Sequence, residues 1–317
     1  MQLHNITLTF RYILMIMYLV IPLGAVADNL YDVRGDCLAS PHACLAQTES
    51  SLSALPEGSR EWYRLTMMKL LALIEMQQYP TLRSELLSVL VDQQSPMVFK
   101  ATVYTLHSKV LLLDGKKAEG RRYLDKAVTL VAQINESYPD PFRSADILNL
   151  YTYIPELNEQ AMLFAKSLIP NIERVSEPDG LADLLIALGH TFKYAGQLES
   201  SLSYYQKALS IYDLTPDDVR RVSVLHNVAT GFSNLKNYTM AEEYFSSALR
   251  EWAKHPGSEV GMNHTRLKLV ENYILQERFT EASDLLSAST IPDMPRYQLL
   301  LYQSLDAQIS ANQQLND

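Results

Sequence analysis

From Leu185 to Pro216 large apolar and small side chains alternate at helical spacing. Leu188 and Gly189 are followed by Phe192, a turn at Gly196, and then Ser201, Tyr205 and Ala208. The spacing predicts two helices joined by a tight turn. The small residues let the two approach closely, and the aromatics fill the holes left between helical turns. A hairpin with such a face needs a neighbour to cover it.

The ladder recurs. Forty residues on it reads Val228, Ala229 and Phe232, a turn at Lys236-Asn237-Tyr238, then Ala241, Phe245 and Ala248. The next step gives Leu269, Val270, Tyr273, Arg278, Phe279, Ala282, Leu286 and Ser289. Backwards, Leu111, Gly115, Gly120, Leu124 and Ala127 keep to it; Leu148, Ala161, Ala165 and Leu168 follow more loosely, and Leu70, Leu73, Tyr79, Leu82, Leu86 and Val89 more loosely still. The first small position of the second helix falls at residues 82, 120, 161, 201, 241 and 282, in steps of 38, 41, 40, 40 and 41. A near-constant step over most of a chain is the mark of a solenoid. No stretch alternates with the period of a strand for more than a few residues, so the fold class is all-α.

This ladder resembles the tetratricopeptide repeat (TPR), with lengthened repeats, over residues 59–317 and most clearly over 182–290. The resemblance implies a right-handed superhelical solenoid of about six helical hairpins whose first helices line a concave groove. In that phase the groove-facing positions are Asp183, Ile186, His190 and Lys193, then Ser223, His226, Thr230 and Ser233, then His264, Leu267, Glu271 and Ile274. The candidate partner-binding residues are His190, Lys193, His226, Ser233, Asp183 and Glu271. The expected partner is a protein or peptide. Relatives that grip acidic chaperone termini use several Lys, Arg and Asn residues at such places, and this groove lacks that clamp. His190, His226 and His264 form a trio that can titrate near neutral pH; the simpler account makes each an ordinary half-exposed helix residue.

The ends of the chain read differently. Residues 1–27 join one basic residue, Arg11, to an apolar run at Ile13–Leu23 and a small-x-small site at Ala25-Val26-Ala27, the pattern of a secretory signal peptide. The run is short of the roughly 20 residues a membrane span needs, and no other stretch is apolar enough, so no span is expected after cleavage. Residues 28–58 form a short helical entry. Proline-rich breaks at Tyr138–Pro141, Pro178, Pro216 and Pro256 separate hairpins, the first of them a candidate kink, and a polar last helix over Tyr297–Ala311 reads as a cap. In an exported chain the only two cysteines, Cys37 and Cys44, are expected to pair as a disulfide. Together with His42 they fall short of a structural zinc site, and no metal is expected.

Composition narrows the function. The chain has net charge −9, and −10 without residues 1–27, with 26 basic residues against 36 acidic. An acidic chain without a basic stripe is a poor partner for nucleic acid. There is no phosphate-cradling glycine loop, no zinc-protease motif and no nucleophile elbow, and only 11 glycines. Neither enzyme activity nor a cofactor is expected. Two functions remain: an exported, non-catalytic interaction scaffold, localised to the periplasm if the source is a Gram-negative bacterium, or the sensory, ligand-binding module of an envelope signalling system. The second is implied by a resemblance to exported TPR-like regions that precede a membrane helix and a signalling output.

Overall fold

A computed structural model describes residues 40–90, 94–214, 219–255, 257–289, 291 and 294–316. The signal-peptide region and Cys37 lie outside these residues. Fourteen α-helices and two short 3-10 segments make up the described chain, without a strand. In order they are α1 (Pro41–Leu52), α2 (Arg60–Glu75), α3 (Tyr79–Val89), α4 (Met97–Leu113), α5 (Lys117–Ser137), α6 (Pro141–Tyr151), α7 (Asn158–Leu168), α8 (Pro178–Tyr194), α9 (Leu198–Tyr212), α10 (Val219–Asn234), α11 (Tyr238–Trp252), α12 (Glu259–Ile274), α13 (Phe279–Ser287) and α14 (Arg296–Asn316). Packing divides the chain into two units, residues 1–130 and 131–317. None of the described helices is long and apolar enough to cross a membrane.

The sequence ladder is the packing ladder. Leu82, Gly120, Ala161, Ser201, Ala241 and Ala282, the six small positions, are all buried. In the hairpin turns one residue adopts left-handed backbone: Gln77, Gly115, Gly196, Lys236 and Glu277. The same turn is therefore made with glycine twice and with a longer side chain three times.

In the first unit, Tyr63, Leu70, Leu73, Leu82, Leu86 and Phe99 form a core from α2, α3 and α4. Trp62 packs against it, with ring centroids 5.3 Å from Tyr63 and 6.3 Å from Phe99. Lys69 and Glu85 tie α2 to α3 at 2.7 Å. Helix α1 lies on α2 through Cys44, Leu65, Met68 and Ala72, so the stack begins one helix earlier than the sequence ladder suggests.

In the second unit α6, α8 and α11 start on side-chain caps. Asp140, almost fully buried, accepts a bond from the Arg143 backbone N–H at 3.1 Å and pairs with the Arg143 guanidinium at 2.7 Å, which starts α6 directly after the Tyr138–Pro141 segment. Glu177 caps α8 through the N–H groups of Asp179 and Gly180. Alanines at the centre of the hairpin contacts, Ala208 and Ala248, have no exposed surface. Ala208→Phe or Ala248→Phe is expected to cost about 1–3 kcal/mol by overpacking, whereas Glu199→Phe on the exposed face of α9 is expected to cost little. Urea unfolding midpoints decide it, and equal effects at buried and exposed sites would put the repeat phase in error.

Helix α13 stops earlier than the ladder implies. It ends at Ser287, and Ser289 lies beyond it. The Ser287 hydroxyl donates to the Asp284 carbonyl at 2.7 Å, a local side-chain bond at the helix end. Leu305 and Ile309 of α14 then cover Leu267, Val270, Ala282 and Leu286, while Gln303, Asp306 and Gln308 face solvent. Helix α14 thus has the two faces that a terminal helix of a stack requires.

Candidate functional site

Helices α8, α10 and α12 hold the first place in three successive hairpins, and each turns one face to a common cavity of about 690 Å³. From α8 come His190, Lys193 and Tyr194; from α10, Ser223, His226, Asn227, Thr230 and Asn234; from α12, Gly261, His264, Thr265 and Lys268. Residues three and four apart on a helix share a face, which is why these sets meet. Trp252, the last residue of α11, and Leu198 of α9 complete the wall. None of these lining residues is acidic, in a chain that carries a net −9.

Two glycines shape the cavity. A Cβ on Gly189 would stand 2.6 Å from Tyr205 Cδ1, so the missing side chain is what lets the Tyr205 ring reach across to α8. There its hydroxyl lies 2.8 Å from His190 Nδ1. On α12 a Cβ on Gly261 would stand 2.7 Å from Trp252 Cζ2, and its absence admits the indole. Trp252 Nε1 donates to Thr265 Oγ1 at 3.1 Å, and the Thr265 hydroxyl donates to the Gly261 carbonyl at 3.0 Å. With that single hydroxyl hydrogen in use, His226 Nδ1, 3.2 Å away, bonds to Thr265 Oγ1 as donor. The His226 and His264 rings are 4.8 Å apart, and Phe245 and Tyr297 flank them at 5.6 and 6.0 Å. His264 Nδ1 is buried without a hydrogen-bond partner.

Burial makes the imidazoles reluctant bases. It pushes the His190 pKa down to about 4, and the Lys193 ammonium pushes in the same direction. His226 is held well below its ordinary value by burial first, then by His264, Lys268, Lys193 and His190. His264 is lowered by burial, Lys268 and Lys193, against a smaller upward pull from Glu271. All three are neutral at pH 7, so the lysines carry the charge of the pocket. Lys268 pairs with Glu271 at 2.7 Å. Lys193 has no carboxylate partner among the described residues; it lies 5.0 Å over the Tyr194 ring, and burial followed by Lys268 lowers its pKa.

Of the residues expected in the groove, His190, Lys193, Ser223, His226, Thr230 and His264 line the cavity. Asp183 and Ser233 are half-buried and stand off it, and Glu271 adjoins it through Lys268. Leu267 corrects the expected phase: it is fully buried in the core, with Ile274 packed beside it, because the cavity stripe on α12 runs Gly261, His264, Thr265 and Lys268 rather than through Leu267. Asn227, Asn234, Trp252, Thr265 and Lys268 were not expected. The signal for Trp252 was Gly261, a glycine inside a helix nine residues after a tryptophan. Among the described residues no three His, Cys, Asp or Glu side chains converge as metal ligands would.

Stacked hairpins, small-residue contacts and a face shared by first helices define a TPR-like helical-repeat protein. Residues 180–251, which span α8 to α11, match the family Tetratricopeptide repeat. Among solved structures the chain is similar to a Rap protein complexed with competence and sporulation factor, at 12% identity and TM-score 0.60, over 88% of this chain and 78% of that one. It is also similar to NprR in complex with its cognate peptide NprX, at 15% identity and TM-score 0.57, over 84% and 77%. A third likeness is to a signal transduction ATPase with numerous domains and a tetratricopeptide repeat sensor, from Pyrococcus horikoshii, at 18% identity and TM-score 0.55. It covers 72% of this chain and 35% of that one, so the chain spans about a third of that protein's length. No curated protein matches the chain in sequence. At these identities the likeness speaks for the fold.

Proposed function

We propose that this protein is an exported, non-catalytic scaffold that binds a peptide or protein on the face shared by α8, α10 and α12. The observation that carries the reading is the cavity itself: open to three successive repeats, with lysine, asparagine and hydroxyl side chains on its wall. Two structural neighbours, the Rap protein and NprR, are complexes with a peptide or protein factor, and they lend the reading support by analogy of fold. Panning a random-peptide library against the chain from Asp28 onward is expected to return binders. The triple variant Lys193→Ala, Asn227→Ala, Lys268→Ala should capture them at least about tenfold less well, a loss of roughly 1.4 kcal/mol, with its helical circular dichroism intact. The histidines stay in place in this variant because their rings are packed against Tyr205, Phe245 and Thr265. Binders captured equally by both proteins would move the site off this face.

Export belongs to the same proposal, and with it the pairing of Cys37 with Cys44. Mass spectrometry of the exported protein should find a chain that begins at Asp28 and has no free thiol. A chain that retains Met1, or two thiols that react without reductant, would refute each part in turn.

A second reading is a sensory module, and the tetratricopeptide repeat sensor of the Pyrococcus horikoshii protein favours it. A signalling protein encoded beside this gene would support that role.

A further inference from the structure

We propose that the wall shared by α8, α10 and α12 senses acid: when His190, His226 and His264 take up protons, the N-terminal half of α12 comes away from α10 while the rest of the fold stays in place. The proton is then a ligand of this face, whatever else the face binds.

Three imidazoles from three successive hairpins meet in one wall. The Tyr205 hydroxyl lies 2.8 Å from His190, and Phe245 and Tyr297 flank the His226 and His264 rings, themselves 4.8 Å apart. Helix α8 presents His190 and Lys193 to this cluster, α9 presents Tyr205, and α10 contributes His226. Helix α11 presents the uncharged rings of Phe245 and Trp252. Helix α12 adds His264, Lys268 and Glu271, and α14 adds Tyr297. Glu271 is the single acid among these groups, and Lys268 holds it at 2.7 Å. Three protons added to two lysines would set five positive charges against one carboxylate. Burial and like charge both oppose that state, so the closed wall cannot keep the protons it is offered.

The boundary that yields is the one between α10 and α12. Helix α8 is joined to α9 and α10 by a core that includes Leu185, Tyr205 and Val228. Helix α12 is joined to α13 and α14 through Leu267, Leu286 and Leu305. Between α10 and α12 the apolar contact is smaller, Ala229 and Leu269 meeting around Phe245. Nearer the cavity the tie is polar: Thr265 takes the bonds of His226 and Trp252. The far half of α12 stays anchored, because Asn272 donates to the Tyr238 carbonyl and the Tyr273 hydroxyl to Glu242, each at 3.0 Å. The near half starts without a side-chain cap and rests on packing.

Opening and proton uptake are one event. Once exposed, each imidazole regains a pKa near 6.5. The closed wall is therefore complete above pH 6.5 and is drawn down as pH falls toward the closed-state value of His190, about 4. Three sites gain proton affinity together, so the change is steeper than a one-proton titration.

Hydrogen exchange of the folded chain, followed by mass spectrometry between pH 7 and pH 4.5 and scaled by intrinsic rates, tests this. Amides of residues 263–270 are expected to lose about tenfold or more in protection, while those of α2 to α4 keep theirs and the helical circular dichroism holds. His264→Gln, at a ring whose Nδ1 has no bonding partner, should make the transition shallower. Lys268→Gln removes a charge without removing an imidazole, and should move the midpoint down by about half a pH unit. Lys193→Gln should shift it the same way and leaves Glu271 paired. Protection of α12 that is constant down to pH 4.5 would overturn the inference. So would loss in both units together, which is ordinary acid unfolding. A His264→Gln transition as steep as the native one, or a midpoint unmoved in both lysine variants, would overturn it too.

Discussion

Gly189→Ala is expected to lower the stability of the second unit by about 2–3 kcal/mol, the upper range for one methyl forced into a packed core. The added Cβ would stand 2.6 Å from Tyr205 Cδ1 and closer still to Cε1. Tyr205 cannot swing away. Its ring is 1% exposed, enclosed between α8 and α9, and its hydroxyl is bonded to His190. Either the two helices part or the ring leaves its rotamer, and both disturb the cavity wall at His190. Gly231→Ala is the useful contrast. There the nearest atom is Leu202 Cδ1 at 3.0 Å, the far end of a flexible side chain, and the expected loss is smaller. Urea unfolding of both variants gives the order. Equal small losses would mean that α8 and α9 cross less closely than the structure places them.

The second large effect is on pH. His190 has a pKa near 6.5 in the unfolded chain and about 4 in the folded one. Below the unfolded value the unfolded chain binds more protons, so stability is full above pH 6.5 and falls as pH drops, levelling off below the folded value. For His190 alone the loss between pH 7 and pH 4 is on the order of 2–3 kcal/mol. His226 and His264 shift in the same direction and add to it. Chemical unfolding at several pH values between 7 and 4 should show the decline starting near the histidine range rather than the carboxylate range. His226→Phe should be less stable at pH 7, since it loses the Thr265 bond, but should decline less steeply. A stability that holds constant down to pH 4.5 would refute the account.

The repeat phase was legible because close helix packing demands small residues at fixed spacing. Gly189, Ala208, Ala241 and Ala248 could be read without a structure, and all are buried. The cavity was legible on α8 and α10, where His190 and Lys193, or His226 and Thr230, step along a stripe that neighbouring core residues bracket. It was not legible on α12. From His264 a step of three leads to Leu267 and a step of four to Lys268, and only the rotation of the helix against α10 and α14 decides between them. Nor does a repeat ladder announce what a second helix contributes at its end, which is how Trp252 reached the wall unforeseen. The depth of the histidines was hidden for a related reason: a polar residue at a groove position looks exposed until the neighbouring repeats are stacked on either side of it.

The chain has two tryptophans, and they fall one to each unit. Trp62 is packed among the aromatic rings of the first core; Trp252 edges the cavity with its indole N–H bonded to Thr265. The protein is therefore supplied with two native fluorophores in different settings. Replacing Trp62 by Phe leaves a single emitter at the cavity, whose colour and quenching report occupancy and the charge of the neighbouring imidazoles without any attached dye. Replacing Trp252 instead leaves an emitter that sees only the first unit. Read side by side during unfolding, the two spectra separate one cooperative event from two.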